Sequence, residues 1–496
     1  MADTQTEPLL SRRRAGVLLH PTSLPGPSAC GDIGHEAYRF VEFLAAAGIG
    51  LWQMLPLGPP HKDNSPYLCL SANACNPDLI SLDWLRDRGL ISSAVSAAGS
   101  SGGAGLREAG LAEAFATFSH QDHALQLPFE AFIKAEAAWL EDYALFMVIR
   151  AHHDNAPWYS WEPPLRDRDP AALAQFRQHH RDAIAYQQFY QFIFQQQWQE
   201  LRDYAHRHGV SLFGDLPIYL SLDSADTWVN REIFMLDAQG GARYVAGVPP
   251  DFFAVEGQRW GNPIYNWDYL QQTGFAWWQQ RVRRQLELFD LLRIDHFRGL
   301  QAYWRIPAEA DTALEGEWVE APGDALLHTL QTELGQLPLV AEDLGMITPE
   351  VDALRNKYQL PGMKILQFAF DGDPENVYLP HNHQRNCVVY TGTHDNDTTL
   401  GWYRQLDEGT RALVRDYLRL GDSVESAWPF IATALASVAQ TAVIPLQDLI
   451  GLGSEGRMNT PGTSEGNWGW RFSWQQLPYE LAPHLRHLCR LYGRCD

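Results

Sequence analysis

The chain has 496 residues, room for three ordinary domains or for one barrel-sized domain carrying insertions. Its 38 Lys and Arg against 60 Asp and Glu give a formal net charge of −22, a surface that repels phosphate backbones and anionic lipid, so neither nucleic acid nor a membrane is expected as a partner. With 45% hydrophobic and 20% charged residues the chain has enough apolar surface to offset chain entropy, which excludes a disordered protein, and its 18 Trp supply many flat, rigid faces.

From the N-terminus, residues 1–13 read as a tail. Ser11-Arg12-Arg13-Arg14 resembles the start of an export signal, but the apolar stretch before His20-Pro21 is too short to serve as one. Six cysteines at 30, 69, 75, 387, 489 and 495 form neither a CxxC pair nor a zinc spacing, which points to a reducing cytoplasm and to no metal. Trp428 to Leu446 is apolar but broken by Pro429 and Pro445, and reads as a buried helix running into a strand. Gly451 to Gly456 matches G-x-G-x-x-G. The residues that follow, Arg457-Met458-Asn459-Thr460-Pro461-Gly462, read as loop instead of an opening helix, so no dinucleotide site is expected there.

Eight short apolar runs, each ending in Gly, Pro or polar residues, read as buried parallel strands: Gly16–His20, Gly50–Leu57, Val210–Tyr219, Leu291–Phe297, Leu337–Asp343, Lys364–Phe370, Cys387–Thr393 and Thr441–Leu449. Helix-period stretches such as Glu36–Ala47 and Phe275–Phe289 lie between most of them. The expected fold is therefore α/β, a (β/α)8 barrel occupying residues 14–496, with an open doubly wound sheet as the alternative. Residues 58–209 are too many for one crossover and read as an insertion containing a helical subdomain, with Ser92–Gly105 as a flexible connector; 221–274 reads as a second long loop region.

Acids, His and Arg crowd the C-terminal ends of these runs, where barrel enzymes carry their chemistry. Arg293 and Asp295 are two apart, hence on one side of a strand, and a guanidinium there is expected to hold the carboxyl ionised, as a nucleophile requires. Leu337 to Ala341 delivers Glu342-Asp343 out of an apolar stretch, which raises a carboxyl's pKa and suits a general acid; alternation alone does not say which of the two faces the cleft. His394-Asp395 adds an imidazole beside a third acid, and Asp215 adds a fourth. Taken singly each has an ordinary structural role open to it. Together, two carboxyls of opposed pKa are the parts for breaking a glycosidic bond with retention when about 5–5.5 Å apart. The stretch Gly247 to Trp267 interleaves aromatics with amides and glycines, matching both the apolar faces and the hydroxyl edges of sugars.

These residues resemble the amylomaltases, the 4-α-glucanotransferases of glycoside hydrolase family 77. The matching segments are His20 to Gly26, Trp52 to Pro59, Ser65-Pro66-Tyr67, Gly214 to Tyr219, Gln258 to Pro263, Arg293 to Gly299, Ala341 to Gly345 and Thr393 to Asn396. The resemblance implies Asp295 as nucleophile, Glu342 as acid/base and Asp395 as transition-state stabiliser. It implies Arg293, His296 and His394 as substrate-orienting groups, Asp215 as a supporting acid, and Tyr67, Trp260 and Asn262 as groove lining. The loop at Phe252 and Phe253 is similar to the family's lid over acceptor sugars. The chain departs from the pattern at His61 to Asn64, Leu68-Cys69 and Asn73 to Cys75, which bears on preferred acceptor length and not on cleavage.

The expectation is transfer of an α-1,4-glucan segment to the 4-hydroxyl of glucose or another glucan, with maltooligosaccharides and glucose as partners, no cofactor, and a monomer or homodimer as the assembly. An α-amylase-like retaining hydrolase and a non-catalytic glucan-binding protein are the alternatives.

Overall fold

The computed structural model describes residues 11–26, 28–93, 104–120, 124–250, 255–421 and 424–496. Among them, in chain order, run strands β1 (Arg14–Leu18), β2 (Leu51–Gln53), β3 (Ser211–Pro217), β4 (Tyr244–Val248), β5 (Gln258–Pro263), β6 (Leu291–Asp295), β7 (Ala302–Pro307), β8 (Glu317–Glu320), β9 (Leu339–Ala341), β10 (Gly362–Ile365), β11 (Cys387–Tyr390) and β12 (Thr441–Pro445).

Eight of these form one parallel sheet in the order β10-β11-β12-β1-β2-β3-β6-β9. The two ends of that order meet, because Ala341 at the end of β9 donates its amide to the carbonyl of Pro361, one residue ahead of β10 (2.8 Å). The sheet therefore closes into a (β/α)8 barrel, and each of its strands overlaps one of the eight apolar runs of the sequence, with β1 and β10 each starting two residues earlier than the run. Helices such as His35–Ala46 and Ala276–Leu288 follow or precede strands as crossovers, with Phe40 and Leu44 of the first buried.

Alternation along the strands divides the core in two. Leu18, Phe213, Leu291, Val340, Met363, Ile365, Val388, Tyr390 and Val443 form one buried cluster, the plug of the barrel. Their strand neighbours Val17, Leu212, Leu292, Leu339, Val389 and Ala442 belong to the larger outer cluster, against the helices. Each fully buried apolar side chain of this size contributes about 1.5–3 kcal/mol relative to exposure. Gly214 in β3 has no room for a side chain, since a Cβ there would overlap the ring of Phe289.

Helices Gln126–Ala135, Leu140–His152, Pro170–His179 and Arg181–Arg207 lie between β2 and β3. The second long loop region is more ordered than its sequence suggests. β4 and β5 pair with each other, and with β7 and β8 they make an antiparallel sheet in the order β5-β4-β7-β8. Within the described residues no helix is long and apolar enough to cross a membrane, and the stretch 428–446 resolves into the helix Trp428–Ala436 followed by β12. All six cysteines are free.

Candidate active site

The ends of β3, β6 and β9 bring the acids together. In the register of β3 with β6, Asp215 lies opposite Arg293 and Pro217 opposite Asp295. Asp215 follows the lumenal Phe213 by two residues, and Arg293 and Asp295 follow the lumenal Leu291 by two and four, so all three side chains rise from the barrel plug. Arg293 bonds Asp215 (2.5 Å) through one nitrogen and Asp295 through the other. The Tyr67 hydroxyl donates to the same Asp215 oxygen (2.7 Å) and accepts from Arg293 (3.2 Å). Asp215 is wholly buried while 28% of the Asp295 side chain is exposed, so the chain of contacts runs from a dry floor up to an accessible carboxyl.

The same alternation separates Glu342 from Asp343. Glu342 follows the lumenal Val340 by two, and Asp343 follows the outward-facing Leu339 and Ala341. Asp343 is accordingly paired with Arg355 of the outer helix Pro349–Lys357, and it accepts from the amide of Met363 at the start of β10 (2.6 Å). Glu342 accepts from two backbone amides, His296 on one oxygen (2.7 Å) and Leu344 on the other (2.8 Å), which fix its orientation without a cation in direct contact. Neither acid caps the following helix, whose N-cap is Thr348.

His394 and Asp395 lie on the loop after β11. The His394 imidazole stacks on Tyr67, centroids 5.1 Å apart and 15° from parallel, with its Nε2 3.4 Å from Asp395 Oδ1. Trp260 of β5 meets His296 edge-to-face at 4.8 Å, joining the side sheet to the barrel mouth. Asn262 is buried and donates to the Leu220 carbonyl (2.8 Å), so its amide holds the chain leaving β3. Phe252 and Phe253 lie outside the described residues.

The electrostatics correct one expectation. Arg293 does contact Asp295, yet burial outweighs it, reinforced by the charges of Asp215, Glu342 and Asp395, and the Asp295 carboxyl is pushed up to about 8. One guanidinium cannot neutralise this many carboxylates in a partly dry cleft. Glu342 is also raised, by burial first, against the opposing pull of Arg293 and of its two amide donors. Two interacting carboxyls of this kind release their protons in shared steps, so the raised values belong to the pair. Burial lowers both His394 and His296, the latter to about 3, leaving neutral imidazoles able to bond hydroxyls.

Sequence reasoning missed two contributors. Asn459 donates its side-chain amide to Asp395 Oδ1 (2.7 Å) and Arg457 donates to the Asp395 carbonyl (2.8 Å). Both lie more than 60 residues from Asp395, in the loop after the glycine motif, and no local signal connects them. Among the described residues no group of three or more His, Cys, Asp or Glu is arranged to hold a metal ion.

Comparison with known proteins gives the family and the fold. The model of the family described as 4-alpha-glucanotransferase matches residues 19–477. The chain is 48% identical to the 4-alpha-glucanotransferase of Thermus thermophilus, over 98% of each chain. It is 46% identical to that of Synechocystis, over 98% of this chain and 99% of the relative. Among solved structures, the amylomaltase from Streptococcus agalactiae in complex with acarbose superposes with a TM-score of 0.95 at 38% identity, covering 98% of this chain and all of the other. The barrel, its closed strand order and these full-length matches place the chain in the 4-alpha-glucanotransferase family, glycoside hydrolase family 77.

Proposed function

We propose that this glucanotransferase works on α-1,4-glucans by double displacement, with Asp295 as nucleophile and Glu342 as acid/base. The observation that carries the reading is that Asp295 and Glu342 both rise from the barrel plug, interact electrostatically, and are set apart by their partners: a guanidinium on one, backbone amides on the other. With one proton between them, charge on Asp295 beside Arg293 and the proton on Glu342 is the reactive arrangement.

In the first step an Asp295 oxygen attacks the anomeric carbon, the glycosidic C–O bond breaks, and the Glu342 proton passes to the leaving 4-oxygen. In the second, Glu342 as its anion takes the proton of an incoming 4-hydroxyl, whose oxygen displaces Asp295. Two inversions give net retention. Asp395 and His394 grip sugar hydroxyls as the ring flattens, and Arg293 disperses the charge that returns to Asp295. An acceptor held against Trp260 and His296 outcompetes water by proximity.

Maltotriose as the sole substrate tests the reading. Transfer yields glucose together with a ladder of chains longer than maltotriose. Only shorter products would mean a hydrolase, and an unchanged substrate would mean a binding protein.

A further inference from the structure

Asp395 has no strand or helix of its own. It sits in the loop between β11 and the helix Thr399–Gln405, with 46% of its side chain exposed, so its orientation must be supplied from elsewhere. The supply comes from the segment after the glycine motif, which leaves the 3-10 turn Ser454–Gly456 and runs back across the barrel mouth.

The contacts form a closed set. Asn459 gives its backbone amide to the His394 carbonyl (3.1 Å) and its side-chain amide to Asp395 Oδ1 (2.7 Å). Arg457 uses one nitrogen on the Asp395 carbonyl and another on the Asn459 carbonyl, each at 2.8 Å. The chain then turns back, with Trp468 donating its amide to the Met458 carbonyl (2.8 Å) and setting its ring 6.0 Å from His394 and 5.9 Å from Tyr67. A carboxylate oxygen only accepts, so it is the amide nitrogen of Asn459 that faces it. Oδ1 is thus occupied, and among the described residues Oδ2 has no hydrogen-bond partner.

We infer that Arg457 and Asn459 are positioning residues for Asp395, holding one carboxylate oxygen so that the other is presented to a sugar hydroxyl. The inference rests on the role given to Asp395 above. A carboxylate released to rotate loses the near-attack geometry on which rate depends while ground-state binding, spread over several sugar units, is mostly kept.

The test is a double-mutant cycle. Asn459→Ala and Asp395→Asn are made singly and together, with transfer from α-maltosyl fluoride to glucose as the readout, since fluoride departs readily enough to keep slow variants measurable. Asn459→Ala is expected to lower kcat about 10–100-fold with KM within about threefold. In the Asp395→Asn background the same change is expected to cost less than about threefold. Asn459→Ser, which retains a shorter donor, is expected to recover part of the loss and serves in place of the alanine variant if that one does not fold. An equal loss in both backgrounds, or a wild-type kcat for Asn459→Ala, overturns this inference alone. Wild-type activity for Asp395→Asn overturns the role of Asp395, and this inference with it.

Discussion

The backbone amide of His296 donates to Oε2 of Glu342 across 2.7 Å, and it reaches there because His296 adopts the left-handed conformation at φ 52°, ψ 50°. A non-glycine residue in that region costs about 1–2 kcal/mol, more when β-branched. The strain turns the chain sharply at the end of β6 and aims the amide at the neighbouring strand's acid. His296→Gly should keep the turn and the amide, whereas His296→Val should weaken both. Since the amide stabilises the Glu342 anion, its loss raises the Glu342 pKa, and the alkaline limb of kcat/KM should lie at higher pH in the valine variant than in the glycine variant. Identical limbs would contradict the role given to this amide.

Asp295 should destabilise the fold that it serves. Its folded pKa of about 8 lies above the unfolded value of about 4, so the folded state binds the proton more tightly. Its favourable contribution is therefore complete below about pH 4 and is lost as pH climbs towards 8. Asp295→Asn removes the charge, and unfolding free energy at pH 9 should rise by about 1–3 kcal/mol, with little change at pH 4. Transfer activity should vanish. Lower stability at pH 9 would mean that Arg293 does hold the carboxylate favourably.

The adjacent acids of β9 should separate cleanly. Glu342→Gln should abolish transfer from maltotriose in protein that still folds, because the glutamine oxygen can keep one of the two amide donors while its NH2 loses the other. Asp343→Ala leaves the Met363 amide without its acceptor and the half-buried Arg355 with Asp352 (2.9 Å) as its remaining ion-pair partner, and should cost about 1–3 kcal/mol in denaturant unfolding. If Asp343→Asn cripples catalysis in folded protein while Glu342→Gln is harmless, the acid/base has been assigned to the wrong residue.

The barrel was legible because its strands are short apolar runs that need both faces buried, as Leu339-Val340-Ala341 shows. Spacing also placed Arg293 beside Asp295 correctly. What alternation could not give was the side taken by Glu342, since a strand apolar on both faces hides its phase until the plug residue Val340 is located. β5 falls in the stretch read as loop, and β8 drew no reading, because Gln258-Arg259-Trp260-Gly261-Asn262-Pro263 and Glu317-Trp318-Val319-Glu320 lack apolar runs and are held by pairing with other strands. The charge state of Asp295 was misjudged because burial, reinforced by acids from three other strand ends, outweighs Arg293, and neither is visible in a motif of two residues. Asn459 was missed for the same reason, its partner being 64 residues away.

The central claim is a covalent bond between Asp295 and the anomeric carbon. In Glu342→Gln protein given a 5-fluoro-α-glucosyl fluoride, fluoride leaves without acid assistance so that the ester still forms, while the ring fluorine and the missing base slow its breakdown, and mass spectrometry of the quenched, digested protein reads the result. A single glycosyl adduct on the peptide carrying Asp295, absent from Asp295→Asn, is the outcome expected. No adduct, or one on another residue, contradicts the double displacement.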